Sequence, residues 1–207
     1  MCICFIKNLW RIRWSHFLKN IKIIQIFFNF LPRITRKICK NKGLSIVDTK
    51  EVLLRKLESY FGSDTKRISH AKKVLAFAEE LLESEKAGRN IVVAAAILHD
   101  VGIKAAEEKY GSSAGRYQEE LGPDIARAIL LKTGIKKSDI EEICVIIAHH
   151  HSPGEINTQN FKVLYDADWL VNLKDEVAAS DKIKLKNIID KVFLTKSGRL
   201  KAEKLYL

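Results

Sequence analysis

Cysteine is scarce in this chain of 207 residues, and most of it lies near the beginning. Three of the four cysteines are Cys2, Cys4 and Cys39, and only Cys144 lies in the remaining sequence. A single thiol excludes a disulfide framework for that part, and Cys2 and Cys4 have no second pair at zinc-finger spacing. We therefore predict a protein of a reducing compartment, the cytoplasm.

Long apolar runs are also absent from the sequence. The longest candidate, residues 21–31, covers 11 positions and is interrupted by Lys22, Gln25 and Asn29, whereas a membrane-spanning helix needs about 20 apolar residues. No stretch shows the convincing alternation of apolar and polar residues that is typical of a half-buried strand. The two absences predict a protein with neither a spanning helix nor a sheet.

Acidic residues are missing from residues 1–43, which carry ten of the 36 basic residues. The net charge of +11 belongs to this segment, because the other 26 basic residues are matched by 25 acidic ones. We therefore predict no DNA-binding face on the rest of the chain. The segment has three interpretations: a basic, aromatic membrane-surface segment, upstream DNA translated from a start site placed too early, or a partner-binding arm. We predict an N-terminal extension, residues 1–43, followed by one domain, residues 44–207.

The sequence does contain amphipathic and apolar helices. A first amphipathic helix is predicted to end at Gly62, and a second, which runs to about Lys86, carries His70 on its apolar stripe. An all-apolar helix at residues 91–98 is predicted to be the buried centre. Gly102 is predicted to stop that helix. Residues 104–122 are predicted to form a surface segment. Pro123 is predicted to begin a later helix, at the first helical position. The pattern predicts a single all-α domain, a bundle of about six to eight helices.

The pair His99-Asp100 directly follows the apolar helix, where packing explains neither side chain. Ionised carboxylates are almost never buried without a paired charge or a metal. With His70 upstream and an aspartate downstream, the chain offers two imidazoles and two carboxylates, a set that suits the divalent cation of a hydrolase. The sequence predicts a divalent ion, Mn, Mg, Fe, Co or Ni, with coordination positions left open for water and substrate.

The fourth ligand is either Asp166 or Asp168. Residues two apart on a helix point about 200° apart, so one ion can take only one of them. Asp168 continues the apolar stripe of Phe161 and Leu164 at helical spacing, which places it on the inward face. We predict Asp168 as the ligand, and Asp166 as an outer hydrogen-bond partner or a solvated helix residue.

Four motifs in this order resemble the HD-domain metal-dependent phosphohydrolases. They are His70-Ala-Lys-Lys-Val-Leu, Ala94 to Gly102, Ala148-His-His-His-Ser-Pro-Gly154 and Tyr165-Asp-Ala-Asp-Trp-Leu170. The resemblance implies an HD-type helical bundle, with His70, His99 and Asp100 as metal ligands. It also favours Asp168, because the last metal aspartate of similar proteins precedes a bulky or basic residue and a leucine.

The three consecutive histidines His149, His150 and His151 have two interpretations. In binuclear relatives, extra histidines after the His-Asp pair hold a second metal, but those relatives also carry a histidine on the intervening helix. This chain has no histidine between His99 and His149, so the resemblance implies one ion. It then assigns phosphate binding or proton donation to His149 and His150, and substrate binding to His151. The alternative is a helix-end cluster that the helix dipole stabilises.

Lys104 and Arg116 are candidate phosphate contacts, and Lys104 is also a candidate catalytic residue. Similar enzymes often have a lysine close after the His-Asp pair, usually one residue nearer than Lys104. The alternative for both residues is ordinary surface charge.

The resemblance implies a metal-dependent phosphohydrolase that cleaves a phosphate ester or anhydride of a small metabolite. The neutral domain favours a nucleotide over a nucleic acid. A sensory HD module that binds a nucleotide without turnover is one alternative, and an RNA-processing HD protein that uses the basic tail is another. The complete ligand set favours the enzyme, because a pure binding module needs no open metal position.

Overall fold

The described part of the chain is a helical bundle. A computed structural model of the protein describes residues 46–176 and 181–207. The chain divides after Gly43 into two units, and the helical bundle belongs to the second, Leu44–Leu207. The predictions for residues 1–43 lie outside the described residues and stay predictions.

Nine α-helices and one 3-10 turn make up the described residues, and these residues contain no strand. The helices are α1 (Ile46–Phe61), α2 (Thr65–Leu81), α3 (Arg89–Leu98), α4 (Gly102–Tyr110), α5 (Gly115–Leu130), α6 (Lys137–Ala148), α7 (Gln159–Glu176), α8 (Lys182–Val192) and α9 (Lys196–Tyr206), and the 3-10 turn is His99–Val101. The all-α prediction is confirmed. The helices outnumber the expected six to eight because the predicted surface segment and the stretch after Lys182 are both helical. None of these helices has the length and apolar character that a membrane crossing requires.

Helix α3 is the centre of the bundle, as predicted. Its residues Val92–Leu98 are all buried, and the helix packs against α1, α2, α6 and α7. Since no side of this part of α3 faces water, the other helices surround it. The end of α3, where His99 and Asp100 follow, therefore lies inside the protein.

Gly102 does not stop the central region as predicted; it begins α4. Its φ angle is −67°, an ordinary helical value, so backbone freedom is not the reason for glycine at this position. A Cβ atom there would lie 2.4 Å from the backbone oxygen of Gln118. Glycine at this position therefore permits the close approach of the backbone to α5 directly after the His-Asp pair.

Pro123 lies inside α5, so the prediction that it begins a helix is wrong. Buried residues recur every four positions on both sides of it: Gln118, Gly122, Ala126 and Leu130. Helix α5 packs closely against α4 and α6. Tertiary packing of this continuous stripe outweighs the backbone hydrogen bond that a proline removes from a helix interior.

A protein that begins at Leu44 is expected to unfold with the same cooperativity and midpoint as the full chain. Every described core residue and every predicted ligand lies beyond that position. Thermal unfolding followed by circular dichroism compares the two proteins. Loss of folding on truncation would mean that the aromatic residues between Trp10 and Phe30 complete the core.

The same pair of proteins tests the membrane interpretation of residues 1–43. A membrane-surface segment should bind the full chain, but not the truncated protein, to anionic vesicles in a salt-sensitive way. Vesicle co-sedimentation at low and high salt measures this binding. Equal binding of both proteins would exclude the segment as the anchor.

Candidate metal centre

Near the end of α3, two histidine side chains lie with their ring nitrogens facing each other. His70 projects from α2 and His99 from the 3-10 turn, and their Nε2 atoms are 3.2 Å apart. His99 is only 1% exposed. Two unprotonated imidazole nitrogens cannot bond to one another, because each offers only a lone pair. Their approach therefore requires a proton or another cation between them.

Asp100 and Asp168 bring carboxylate oxygens to both of these nitrogens. Oδ2 of Asp100 lies 3.5 Å from Nε2 of His70 and 3.4 Å from Nε2 of His99. Oδ1 of Asp168, on α7, lies 3.0 Å and 3.7 Å from the same two atoms. This oxygen is buried and makes no hydrogen bond of good geometry. The four predicted ligands thus converge from α2, the 3-10 turn and α7.

Backbone carbonyls orient two of the imidazole rings. Nδ1 of His99 lies 3.0 Å from the carbonyl oxygen of Ala96, and Nδ1 of His150 lies 2.7 Å from that of Ile147. When Nδ1–H donates to a carbonyl, a neutral ring presents the lone pair of Nε2, the arrangement of many metal-binding histidines. We did not predict these bonds, although both acceptors lie three residues before the histidine at a helix end, where carbonyls lack helical partners.

The three consecutive histidines take different positions. His150 is buried, and its Nε2 lies 3.6 Å from Oδ1 of Asp100 without a hydrogen-bond partner. His151 is exposed, and its ring centre is 4.0 Å from that of His150. Asp100, His150 and His151 form a second group that could hold an ion, with ligand atoms within 4.8 Å of one another. His149 caps the C-terminal end of α6, and no described contact joins it to either group.

Glu119 and Gly115 position the segment around His151, a role that we did not predict. The Glu119 carboxylate accepts hydrogen bonds from the His151 backbone N–H and the Ser152 hydroxyl, both at 2.9 Å. A Cβ atom at Gly115 would lie 2.8 Å from the His151 ring. The start of α5 therefore fixes the turn that follows α6.

The predicted phosphate contacts Lys104 and Arg116 make aromatic contacts. Lys104 is exposed, and its Nζ lies 5.6 Å from the centre of the Tyr60 ring. Arg116 is also exposed and donates to the Tyr117 hydroxyl at 2.7 Å. No described contact joins either residue to the metal-ligand candidates, so the geometry favours the surface-charge alternative for Lys104. Arg116 directly follows Gly115 and thus lies near His151.

Asp166 lies in a separate polar centre, contrary to both roles predicted for it. Its side chain is fully buried. The carboxylate accepts hydrogen bonds from the backbone N–H groups of Leu194 and Thr195, at 2.8 Å each, and from the Thr195 hydroxyl at 2.6 Å. Burial raises the pKa of Asp166 to about 6. Since Thr195 caps α9, Asp166 attaches the start of α9 to α7.

Negative charge is concentrated among the metal-ligand candidates. Burial opposes protonation of His99, but the Asp100 and Asp168 carboxylates outweigh burial and raise the pKa of His99 to about 9. Burial likewise opposes ionisation of Asp100, but His99 and His150 outweigh it and hold the pKa of Asp100 well below its usual range. The pKa of Asp168 is also lowered, through His70 and His99 against the effect of burial. The two carboxylates therefore stay ionised, and positive charge, either protonated His99 or a metal ion, must compensate them.

Protein stripped of metal is expected to lose stability between pH 6.5 and pH 9. The pKa of His99 rises from 6.5 to about 9 on folding, so the folded state binds an extra proton. Its stabilising contribution is complete below pH 6.5 and is lost as the pH rises through 9. Urea unfolding of EDTA-treated protein at the two pH values measures the change. His99→Gln should remove this dependence, and an equal midpoint for wild-type protein at both values would contradict it.

The candidate site lies within the part of the chain that matches a known family. The family model for the HD domain matches residues 67–173, just over half of the chain. The chain belongs to the HD domain family. HD domains bind divalent metals, and the His and Asp groups described above could hold such an ion.

A solved structure supports the same assignment for this HD domain. A predicted HD superfamily hydrolase from an uncultured Thermotogales bacterium is 26% identical to this chain, with a TM-score of 0.55. The match covers 74% of this chain and 83% of that one. A comparison with curated proteins finds no match. The family and the structural match together indicate a metal-dependent hydrolase.

Proposed function

We propose that this HD domain hydrolyses a phosphate ester or anhydride of a small metabolite, of the nucleotide class. The supporting observation is the buried approach of His70, His99, Asp100 and Asp168, with an oxygen of Asp168 left without a hydrogen bond. Buried charges are costly unless they are paired or bind a metal. One divalent ion among these four side chains would satisfy them together.

The donor set fits a catalytic ion better than a structural one. Imidazole nitrogens and carboxylate oxygens suit Mn, Mg, Fe, Co or Ni, whereas closed structural zinc sites favour thiolates. Four protein ligands leave about two of the six octahedral positions open. An ion held there would supply Lewis acidity toward a phosphoryl oxygen and a water molecule.

His150 is the residue best placed to act on a bound phosphate. Its ring is fixed through Nδ1 by the Ile147 carbonyl, and Nε2 faces Asp100 without a hydrogen bond. A phosphoryl group beside Asp100 would accept a hydrogen bond from a protonated His150, or a leaving-group oxygen would take its proton. His151 and Arg116 would extend the binding surface on this side.

A metal-supplemented screen of nucleotides and phosphomonoesters tests the proposal. We expect release of phosphate or pyrophosphate from at least one compound in the presence of a divalent metal, and none with EDTA. His99→Ala, purified in the same way, controls for contaminating phosphatases. Nucleotide binding without turnover under every metal would instead support a sensory module. RNA binding that disappears when residues 1–43 are removed would support the RNA-processing alternative.

A further inference from the structure

A groove of about 500 Å³ adjoins the metal centre between α2 and the second half of α7. Its lining includes Lys66, Ser69, His70, Lys73, Asn172 and Lys174. The His70 side chain is 23% exposed, compared with 14% for Asp100 and Asp168 and 1% for His99. The most accessible of the predicted ligands is therefore part of the groove wall, and the groove adjoins the candidate metal centre at His70.

The charge of the groove is positive, with three exposed lysines and no described carboxylate in its lining. Lys66 and Lys73 lie on α2, on either side of His70, and Lys174 lies on α7 beyond Asp168. None of the three makes a side-chain hydrogen bond or ion pair with a described residue. Five other lysines are paired with carboxylates, namely Lys50, Lys72, Lys109, Lys186 and Lys201. Unpaired lysines also lie elsewhere on the described surface, and what distinguishes the three in the groove is that they lie together beside His70. The groove thus collects unneutralised positive charge beside the site.

The polar groups of the groove are arranged around His70. Lys66 and Lys73 are seven residues apart, which places them on one face of α2 with about 10 Å between them along the axis. Ser69 and Asn172 add a hydroxyl and an amide to the lining. Ammonium, hydroxyl and amide groups can all donate hydrogen bonds to phosphate oxygens. Donors spread over about 10 Å of α2 cover more than the width of one phosphate group.

We propose that the groove binds a second phosphate group of the substrate, so that the preferred substrate carries at least two phosphates. This inference rests on the proposed phosphohydrolase function and names its substrate class. A single phosphate engages the metal centre alone, whereas a longer phosphate chain also reaches Lys66, Lys73 and Lys174. The lysines contribute binding energy and take no part in the chemical step, so their loss raises KM for polyphosphorylated substrates and leaves the turnover of a simple monoester unchanged.

The test compares two triple variants of the full chain that lose the same charge. The groove variant is Lys66→Ala, Lys73→Ala, Lys174→Ala, and the control is Lys56→Ala, Lys132→Ala, Lys204→Ala, whose positions lie outside the groove. Calorimetric titration with inorganic tripolyphosphate in magnesium buffer should show affinity at least about tenfold weaker in the groove variant. The control should stay within about twofold of wild-type protein. All three proteins keep residues 1–43, so binding by that segment is common to them.

The kinetic arm uses p-nitrophenyl phosphate and a nucleoside triphosphate with the same three proteins. KM for the triphosphate should rise only in the groove variant, and the kcat for p-nitrophenyl phosphate should not change. Equal effects in both variants, or unchanged tripolyphosphate affinity in a folded groove variant, would overturn the inference. Lysine-dependent tripolyphosphate binding in a protein that hydrolyses no phosphate compound would overturn the proposed function and leave the phosphate-binding groove standing.

Discussion

Asp100→Ala is expected to bind no divalent metal and to show no hydrolysis, while it keeps its helical fold. Among the described residues, Asp100 is the one whose carboxylate faces the Nε2 atoms of His70, His99 and His150, at 3.5, 3.4 and 3.6 Å. Removal of the Asp100 carboxylate takes away a charged ligand candidate and the group that all three histidine Nε2 atoms face. The loss should exceed the ~10–100-fold that removal of an outer hydrogen-bond partner of a metal ligand causes.

Metal content measured by plasma mass spectrometry checks this expectation. Wild-type protein should contain about one equivalent, as expected for one hydrolytic ion with four protein ligands, and Asp100→Ala and His99→Ala should contain almost none. Asp190→Ala, which removes an exposed carboxylate from α8, is the matched control and should behave as wild-type. Two equivalents in wild-type protein would show that Asp100, His150 and His151 hold a second ion. Full activity in either ligand variant would exclude the assignment.

Asp166→Ala and Asp168→Ala are expected to have opposite effects, although the two positions are almost adjacent. Asp168→Ala should lose metal and hydrolysis, and in EDTA it should lose less stability than Asp166→Ala, because the Asp168 oxygen beside His70 makes no good hydrogen bond in the protein. Asp166→Ala should keep the metal and lose stability, because buried donors of Leu194 and Thr195 lose their acceptor. Each buried donor left unpaired costs about 1–3 kcal/mol.

Urea unfolding and metal content, measured on both variants, separate the two roles. Asp166→Asn keeps one acceptor oxygen and should recover part of the stability that Asp166→Ala loses. An Asp166→Ala protein of normal stability and low metal content would restore its predicted role as an outer partner of the ligands. An Asp168→Ala protein that still contains metal would show that choosing the aspartate on the apolar face of the helix selected the wrong residue.

Sequence pattern was sufficient for the fold class, and it named four side chains that lie together in the candidate metal centre. Helical periodicity placed His70 on an inward stripe, and the all-apolar helix marked His99 and Asp100 as polar residues at a buried helix end. The angle between residues two apart on a helix then separated Asp168 from Asp166. The geometry of a single helix, together with the order of the four motifs that resemble HD proteins, supports each of these predictions.

Roles that depend on packing between distant segments could not be predicted in this way. The partners of Asp166 lie at Leu194 and Thr195, on a segment for which no helix had been predicted. Pro123 stays within a helix because a buried stripe continues past it, a tertiary effect that outweighs local preference. The lysines at 66 and 73 resemble an ordinary solvated face until α7 brings Lys174 to the same groove. Helical periodicity in the sequence predicts which face of a helix a side chain lies on. It does not predict which residue of a distant segment that side chain contacts.

The attachment of α9 has a consequence for how the protein matures on the ribosome. Asp166 bonds to Thr195, and Glu85, shortly after α2, bonds to the hydroxyl of Ser197. The ribosome therefore translates all the metal-ligand candidates before it reaches Thr195 and Ser197, which donate hydrogen bonds to the carboxylates of Asp166 and Glu85. Until those residues are translated, Asp166 lacks its three hydrogen-bond donors from Leu194 and Thr195, so burial of its ionised carboxylate costs free energy. We therefore expect α7, which carries Asp168, to take its final position only after α9 has been translated.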